Sequence, residues 1–423
     1  MIKTDKWFRL DTSGNLYPAV ESLNYPAIFK FGVTLKSEIK EAQLQKALNK
    51  IIKRFPTFNV KLKRGMFWYY LEPNPKPPIL KPDIGYPCRR INFKKNNDFL
   101  LRFLYKNKTI SMEVFHALTD GFGAMAFLKT LVAEYLKLSG VSIPPELGIM
   151  DCSVLPNPEE SENSFLRYYK GKLKRQIKEP PVFHISGTRL PQSVYKAITG
   201  KIPVSKLLEK SREQSVSITE YLTAVVVYSL YQLQEKQSRL LKRKAIRLSV
   251  PVNLRSYYPS KTLRNFSLFI KPGINPDLGE YTFEEVLRQI HHATRYELSE
   301  KYLSAAVSAN VSLEKNPVIR AVPLFIKNIM INFVFSTFGE NKLSGTLSNM
   351  GQFEVPESMK EHVTRFHILV GANKINPVNC SVVSFDEDLY LTFGRTIQET
   401  DLEHAVFTHF IKAGIPVTID TET

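Results

Sequence analysis

Phe115 to Met125 reads FHALTDGFGAM, and it sets a histidine, an aspartate and two glycines within eight positions. The preceding residues alternate: Ile110, Met112, Val114 and His116 share one face of a strand, apolar until its last member. His116 therefore ends a buried stripe where the strand emerges into a turn, a position that can hold a ring firmly and still expose one nitrogen. Gly121 and Gly123 permit backbone angles or close approaches that bulkier residues refuse. Two readings stay open on these residues alone. Either His116 closes the core and Asp120 caps the following helix, or the turn holds an imidazole ready to take a proton.

Working outward, GAMAFLKTLVAEYLKLSG (123–140) predicts a helix ending at Gly140, and FLLRFLYKNKTISMEVFH (99–116) a hairpin turning near Asn107-Lys108. Ile39, Ala42, Leu44, Ala47, Leu48, Ile51, Ile52 and Phe55 recur at helical spacing before Pro56. FNVKLKRGMFWYYLE (58–72) predicts a second hairpin through Arg64-Gly65. Residues 141–164 read as loop, and a basic helix is expected in FLRYYKGKLKRQIKE. Further on come a strand in SVYKAITGKIP, an apolar helix in SITEYLTAVVVYSLYQLQEKQ and a strand in AIRLSVPVNLR. A single helix is expected over FEEVLRQIHHATRYELSEKYL, a hairpin over Asp386-Glu387-Asp388, and a last helix in DLEHAVFTHFIKAGI. Strands and helices mix without a strict βαβ rhythm, so the expected class is α/β (α+β), with a mixed or mainly antiparallel sheet in each half. The boundary falls between Glu159 and Pro191, giving 1–175 and 176–423.

The 423 residues carry a formal charge of +18. Such a balance favours anionic partners: nucleic acid, an acidic membrane surface or a phosphate-bearing small molecule. The aromatics fall mostly within strand and helix patterns, and no DNA- or RNA-binding motif appears, which argues against nucleic acid. Three scattered cysteines, Cys88, Cys152 and Cys380, form no CxxC and fit a reducing, cytoplasmic compartment. The N-terminus reads as polar, with no signal peptide. Ala321 to Gly339, AVPLFIKNIMINFVFSTFG, is the most apolar stretch, and Lys327, Asn328 and Asn332 interrupt it. It reads as a buried helix followed by a strand, with a helix lying in a membrane interface as the second reading. His291-His292 point about 100° apart on a helix and lack a carboxylate cluster, so no metal is expected. Cys380 begins an apolar strand with no base beside it in sequence.

HALTDG, His116 to Gly121, matches the HxxxDG motif of the acyl-CoA-dependent acyltransferase superfamily, which includes chloramphenicol acetyltransferase, plant BAHD acyltransferases, polyketide-associated acyltransferases and condensation domains. VPVNLR (250–255) followed by RNFS (264–267) resembles the family strand with its arginine and the later asparagine-containing segment. LSNMGQFEVP (347–356) resembles the S-N-x-G stretch of the bacterial branch, and SVVSFDEDLYLTFG its late hairpin. The chain most resembles bacterial alcohol acetyltransferase-like proteins. It departs from the pattern in having Phe115 where many members carry a second histidine, and in lacking the BAHD DFGWG motif.

The resemblance implies two chloramphenicol acetyltransferase-like subdomains around a central tunnel, with His116 as general base. It implies that Asp120 pairs with Arg255 and, with Gly121, keeps the turn in shape. Ser348 and Asn349 become candidates for oxyanion or substrate contact, against the reading of a polar turn. The co-substrate is an acyl-CoA such as acetyl-CoA, with no permanently bound cofactor, and the acceptor is a small alcohol or amine. The protein is expected to be a monomer. A condensation-type enzyme fed by an acyl carrier protein and a non-enzymatic basic scaffold are the competing readings. The basic cluster Lys236, Arg239, Lys242, Arg243, Lys244 and Arg247 is either a solvated helix face or a contact for coenzyme A phosphates or an acidic carrier helix.

Overall fold

A computed structural model describes residues 7–171, 180–192, 194–237 and 243–420. In the first part of the chain come β1 (Phe8–Arg9), α1 (Tyr17–Val20), β2 (Ile28–Leu35) and α2 (Glu41–Ile51). Then follow β3 (Val60–Arg64), β4 (Tyr69–Pro73), β5 (Leu80–Pro82), β6 (Leu101–Lys106), β7 (Thr109–Phe115), α3 (Gly121–Lys137) and α4 (Ser164–Arg167). The helical spacing seen in the sequence has its physical counterpart in α2, which turns Leu44, Ala47, Leu48 and Ile51 inward. Both predicted hairpins form: β3 pairs with β4, and β6 with β7 across Asn107, whose φ of 50° closes the turn.

The remainder contributes β8 (Lys196–Pro203), α5 (Val204–Glu213), α6 (Ile218–Gln237), β9 (Ile246–Asn253), β10 (Ser267–Ile270) and β11 (Gly273–Ile274). These lead into α7 (Phe283–Glu297), α8 (Glu300–Lys315), α9 (Pro317–Ala321), α10 (Leu324–Val334), β12 (Gly345–Gln352) and α11 (Glu357–Lys360). The chain closes with β13 (Val363–Val370), β14 (Val378–Phe385), β15 (Asp388–Arg395), α12 (Asp401–Lys412) and β16 (Thr418–Asp420). One mixed sheet runs β13-β2-β7-β6-β5, with only β5 and β6 parallel in it. A larger one runs β10-β9-β12-β14-β15-β8-β16, with β11 also on β9, and β12 lies parallel to both β9 and β14.

The two layers are interlocked. β13 comes from late in the chain yet pairs along β2, from Val363 opposite Leu35 to Val370 opposite Phe29. All eight residues of β14 are buried, because its two faces serve different cores. Cys380 and Val382 point into the core beneath α6 and α12, while Val383 and Phe385 join the core of the first sheet. A strand covered on both faces cannot alternate apolar with charged residues, and VNCSVVSF carries only small or amide polar residues, Asn379, Ser381 and Ser384, among its apolar ones.

Three segments differ from the sequence reading. The expected single helix over 283–303 is two helices, because the chain bends at Leu298-Ser299, where the Ser299 hydroxyl donates back to the Tyr296 carbonyl at 2.7 Å. The basic helix after residue 164 is described only as the short α4, and residues 172–179 lie outside the described residues. The stretch 321–339 is not a buried helix plus a strand. It forms α10 on the surface and then a wider helical turn over Phe335–Gly339. Its polar residues find partners on the protein side, so its apolar residues are left outside.

Phenylalanine supplies all the largest fully buried side chains. Phe366 on β13 is among them, its ring 4.7 Å from Phe353 and 5.1 Å from Phe385. Phe366→Ala should cost about 3–5 kcal/mol, the usual range for emptying a buried aromatic site. Urea unfolding measures it, and a loss below about 1 kcal/mol would mean that β13 is not clamped between the two sheets.

Candidate active site

His116 directly follows the last residue of β7, its backbone N–H held by the Ala27 carbonyl at 2.9 Å. The ring lies flat against Tyr17 of α1, centroids 4.4 Å apart, and takes the Phe29 ring edge-on at 4.9 Å. Phe115, where many members of the resembled family carry a second histidine, turns its side chain into the core against Phe93.

The protonation of the imidazole follows from Asn265. The Asn265 amide nitrogen donates to the His116 carbonyl at 3.1 Å and to Asp11 Oδ2 at 3.1 Å. A carbonyl can only accept, so the other end of the amide, Oδ1, is the atom 3.1 Å from His116 Nδ1. Nδ1 therefore carries the hydrogen, and Nε2 keeps its lone pair. Asp11 is itself fixed by the Gly14 N–H at 2.6 Å, the Asn265 N–H at 3.3 Å and the Arg264 guanidinium at 3.8 Å. Burial pushes the Asp11 carboxyl up, against the pull of Arg264. Burial likewise lowers the proton affinity of His116, against weaker opposing effects of its hydrogen bonds, Asp120 and Asp11. The ring is thus neutral at pH 7, oriented, and basic at one named atom.

Asp120 does both jobs that the sequence left as alternatives, with one oxygen for each. Oδ1 caps α3 by accepting from the Gly123 N–H at 3.3 Å. Oδ2 takes the Arg255 guanidinium at 2.8 Å and the Phe266 N–H at 2.8 Å. Both side chains of the pair are about 95% buried, with 6% and 5% left exposed. Arg255 spends its remaining donors on the carbonyls of Thr262 and Arg264 and on Asn253 Oδ1, with its plane 4.4 Å above the Phe122 ring.

The glycines act through space rather than through unusual backbone angles. A Cβ on Gly123 would stand 2.1 Å from the Leu263 carbonyl oxygen and 2.2 Å from Thr119 Oγ1. That close approach lets Thr119 Oγ1 donate to Leu263 at 2.6 Å. At Gly121 a Cβ would meet the end of Met350 at 2.7 Å. Met350 follows Ser348 and Asn349 on β12, so this strand reaches the start of α3. Ser348 is nearly buried. The Asn349 amide donates to Thr219 Oγ1 at 2.9 Å and its carbonyl accepts from the Gly351 N–H at 2.8 Å, an arrangement that pins the bulge in the strand.

The other sequence-marked residues lie elsewhere. Arg243 pairs with Glu235 at 2.8 Å, Arg247 donates to the Pro180 carbonyl at 2.6 Å, Lys236 lies in the last turn of α6 and the Lys244 backbone is held by Gln234. Arg239 and Lys242 lie outside the described residues. His291 faces Glu220 at 3.3 Å, and among the described residues no group of three metal-ligating side chains is found. Burial pushes the Cys380 thiol up. Asn265, Asp11 and Tyr17 were not singled out in the sequence. Asn265 sits inside the quoted RNFS segment, but nothing in its spacing connects it to a histidine 149 positions earlier.

Residues 195–367 match the alcohol acetyltransferase family profile. No curated protein sequence matches the chain. Among solved structures, TRI101 of F. sporotrichioides, determined with coenzyme A and T-2, superposes with a TM-score of 0.65 at 10% identity, covering 98% of this chain and 99% of that one. The wax ester synthase/diacylglycerol acyltransferase of Marinobacter aquaeolei VT8 gives 0.55 at 13% identity, over 96% and 100% of the two chains. The condensation domain of the monacolin K polyketide synthase MokA gives 0.60 at 12%, over 96% of each. The fold is that of these acyltransferases and condensation domains along nearly the whole chain.

Removing one member of the Asp120–Arg255 pair leaves a buried charge without its partner, so Asp120→Ala and Arg255→Ala should each cost about 3–5 kcal/mol. The double variant should cost well below the sum of the two. Asp120→Asn retains an oxygen for the helix cap but loses the charge, and should fall between wild type and Asp120→Ala. A double-mutant cycle by urea unfolding measures all four, and additive losses would mean that Asp120 and Arg255 are not energetic partners.

Proposed function

We propose that the protein moves an acetyl or longer acyl group from a coenzyme A thioester to an alcohol, with His116 as general base. The observation that carries this reading is the hydrogen bond from His116 Nδ1 to Asn265 Oδ1, which leaves Nε2 as a lone-pair base. The match of residues 195–367 to alcohol acetyltransferases supports the alcohol as acceptor, and the likeness to a structure holding coenzyme A supports the donor.

In the reaction, Nε2 takes the hydroxyl proton as the alcohol oxygen bonds to the thioester carbonyl carbon. The tetrahedral intermediate then expels the thiolate as the C–S bond breaks. The imidazolium returns the proton to sulfur, so that an ester and free coenzyme A leave. Base catalysis of this kind gives about 10²–10⁴-fold, and alignment with oxyanion stabilisation provides the rest. We assign Asp120, Gly121 and Arg255 to holding the turn, and Ser348 and Asn349 to the oxyanion or substrate contact. The halves 1–175 and 176–423 would form the walls of a tunnel meeting at His116. A condensation reaction with a carrier-protein thioester has the MokA likeness in its favour, and donor choice separates the two.

Incubation with acetyl-CoA and longer acyl-CoAs over a panel of alcohols and amines, followed by free thiol, tests the reading. His116→Ala should lower kcat/KM by about 10²-fold or more while the protein stays folded, and His116→Gln, which keeps more of the packing, should show the same loss. Turnover unchanged in these variants would remove His116 from the chemistry. Transfer only from a carrier-bound donor would select the condensation reading.

The pH profile carries a sign. The active ring is the neutral one, and burial lowers its affinity for a proton. Activity should therefore be level through neutral pH and fall only on acidification below the ordinary imidazole value of about 6.5. An acid limb centred above that value would contradict a buried His116 as base.

A further inference from the structure

Helix α10 is inside out. Its polar residues turn to the protein to different degrees: Lys327 is buried, Asn328 half-buried, and Asn332 exposed but bonded to the protein. Lys327 is 4% exposed, donates to the Phe67 carbonyl at 3.0 Å and sits 3.5 Å above the Trp68 ring. Asn328 donates to the Tyr69 hydroxyl at 2.8 Å, and Asn332 donates to the Ala19 carbonyl of α1. The opposite face is left to solvent: Phe325 at 59%, Ile329 at 69% and Phe333 at 66%, one helical turn apart, with Met330 beside them. Val318 on α9 and Met66 at the tip of the β3–β4 hairpin, both 72% exposed, widen the patch. The Leu324 N–H is tied to the Met66 carbonyl at 2.9 Å, so hairpin and helix form one surface. A continuous exposed apolar surface opposite a buried lysine and a half-buried asparagine is the reverse of what water selects.

The charge around the patch is mainly positive, although Glu314 precedes Lys315 and Glu72 of the same hairpin pairs with Lys61 and Lys63. Residues 315–339 contain Lys315, Arg320 and Lys327 and no acid, and residues 60–69 contain Lys61, Lys63 and Arg64 and no acid. Arg64, Lys315 and Arg320 are exposed. At about 1.5 Å per residue, the eleven residues of α10 are far shorter than the roughly 30 Å of a bilayer core, and among the described residues no helix is long and apolar enough to cross a membrane. Such a helix is too short to span a bilayer, so against a membrane it would lie in the interface.

We propose that α10 with the β3–β4 tip is a membrane-attachment face, seating its apolar residues among the acyl chains of an anionic lipid surface while the surrounding cations meet the headgroups. A second copy of the chain is the poorer occupant, because a two-fold contact through this patch would bring two cationic rims together. The face adjoins the candidate active site through α1: Asn332 holds Ala19, and Tyr17 of the same helix stacks on His116. The inference stands without the acyl-transfer reading, since it concerns binding and is measured without substrate.

The test is sedimentation of the full chain with vesicles of mixed phosphatidylglycerol and phosphatidylcholine, against vesicles of phosphatidylcholine alone. Wild type should bind the anionic vesicles, and the neutral ones about tenfold more weakly or less still. The paired substitution Ile329→Asp with Phe333→Asp should reduce binding to anionic vesicles by about tenfold or more. Its circular dichroism and unfolding midpoint should match wild type, since both side chains are exposed. Wild-type binding retained in the paired variant, or no binding to either vesicle, overturns the proposal. So does a dimer in sedimentation equilibrium that the paired variant abolishes, which would give the face to a second copy. If the variant proves misfolded, Arg64→Ser with Arg320→Ser takes its place. Binding to anionic vesicles should then fall towards the neutral level, and unchanged binding would overturn the charge argument.

Discussion

The buried ion pair between Asp120 and Arg255 fixes everything around it. It joins the turn after β7 to the segment after β9, 135 residues apart in the chain. A carboxylate and a guanidinium taken out of water lose their hydration, and they hold together only if every remaining lone pair and N–H is satisfied. Here the carboxylate accepts from Gly123, Phe266 and Arg255, and the guanidinium donates onward to Thr262, Arg264 and Asn253. The pair thus sets the path of residues 262–266, and that path delivers Asn265 to His116. A shift of the guanidinium would move the group that fixes the tautomer.

The imidazole is organised by neutral dipoles rather than by a carboxylate on the ring. Asn265 Oδ1 is a weaker acceptor than a carboxylate, so it orients the ring without raising its proton affinity greatly. Asp11 stands one bond further back, behind the Asn265 amide, and its charge is shared with Arg264. Desolvation therefore dominates at His116 and keeps it neutral. The same low-dielectric setting strengthens any dipole directed at charge developing on a substrate oxygen.

α10 shows how tertiary contacts can invert a helix. Its composition is that of a core helix, and a core position would have left Lys327 and two asparagines needing partners. The hairpin tip and α1 offer those partners at the surface: a carbonyl and an indole face for Lys327, a phenol for Asn328, and a carbonyl for Asn332. These donor contacts decide which way the helix faces, and the apolar side is left to whatever lies beyond the protein.

The local pattern of the sequence determines the elements whose hydrogen bonds and buried faces are local. The α2 and α3 helices, the 58–72 and 99–116 hairpins and the turn at Asp386 follow from spacing and turn chemistry. HALTDG after an apolar strand, with NLR and RNFS later, marks His116, Asp120 and Arg255. What it leaves open is decided by contacts between residues far apart. Whether Asp120 caps or pairs depends on Phe266 and Arg255 arriving together, and it does both. Asn265, Asp11 and Tyr17 carry no local signature, because an asparagine orients a histidine only when two separate segments meet. β13 could not be assigned to the first sheet from its own residues, since alternation gives a strand a face and not a neighbour. The outward face of α10 was hidden for the same reason: periodicity shows that one side is apolar, and only the packed neighbours show which side is covered.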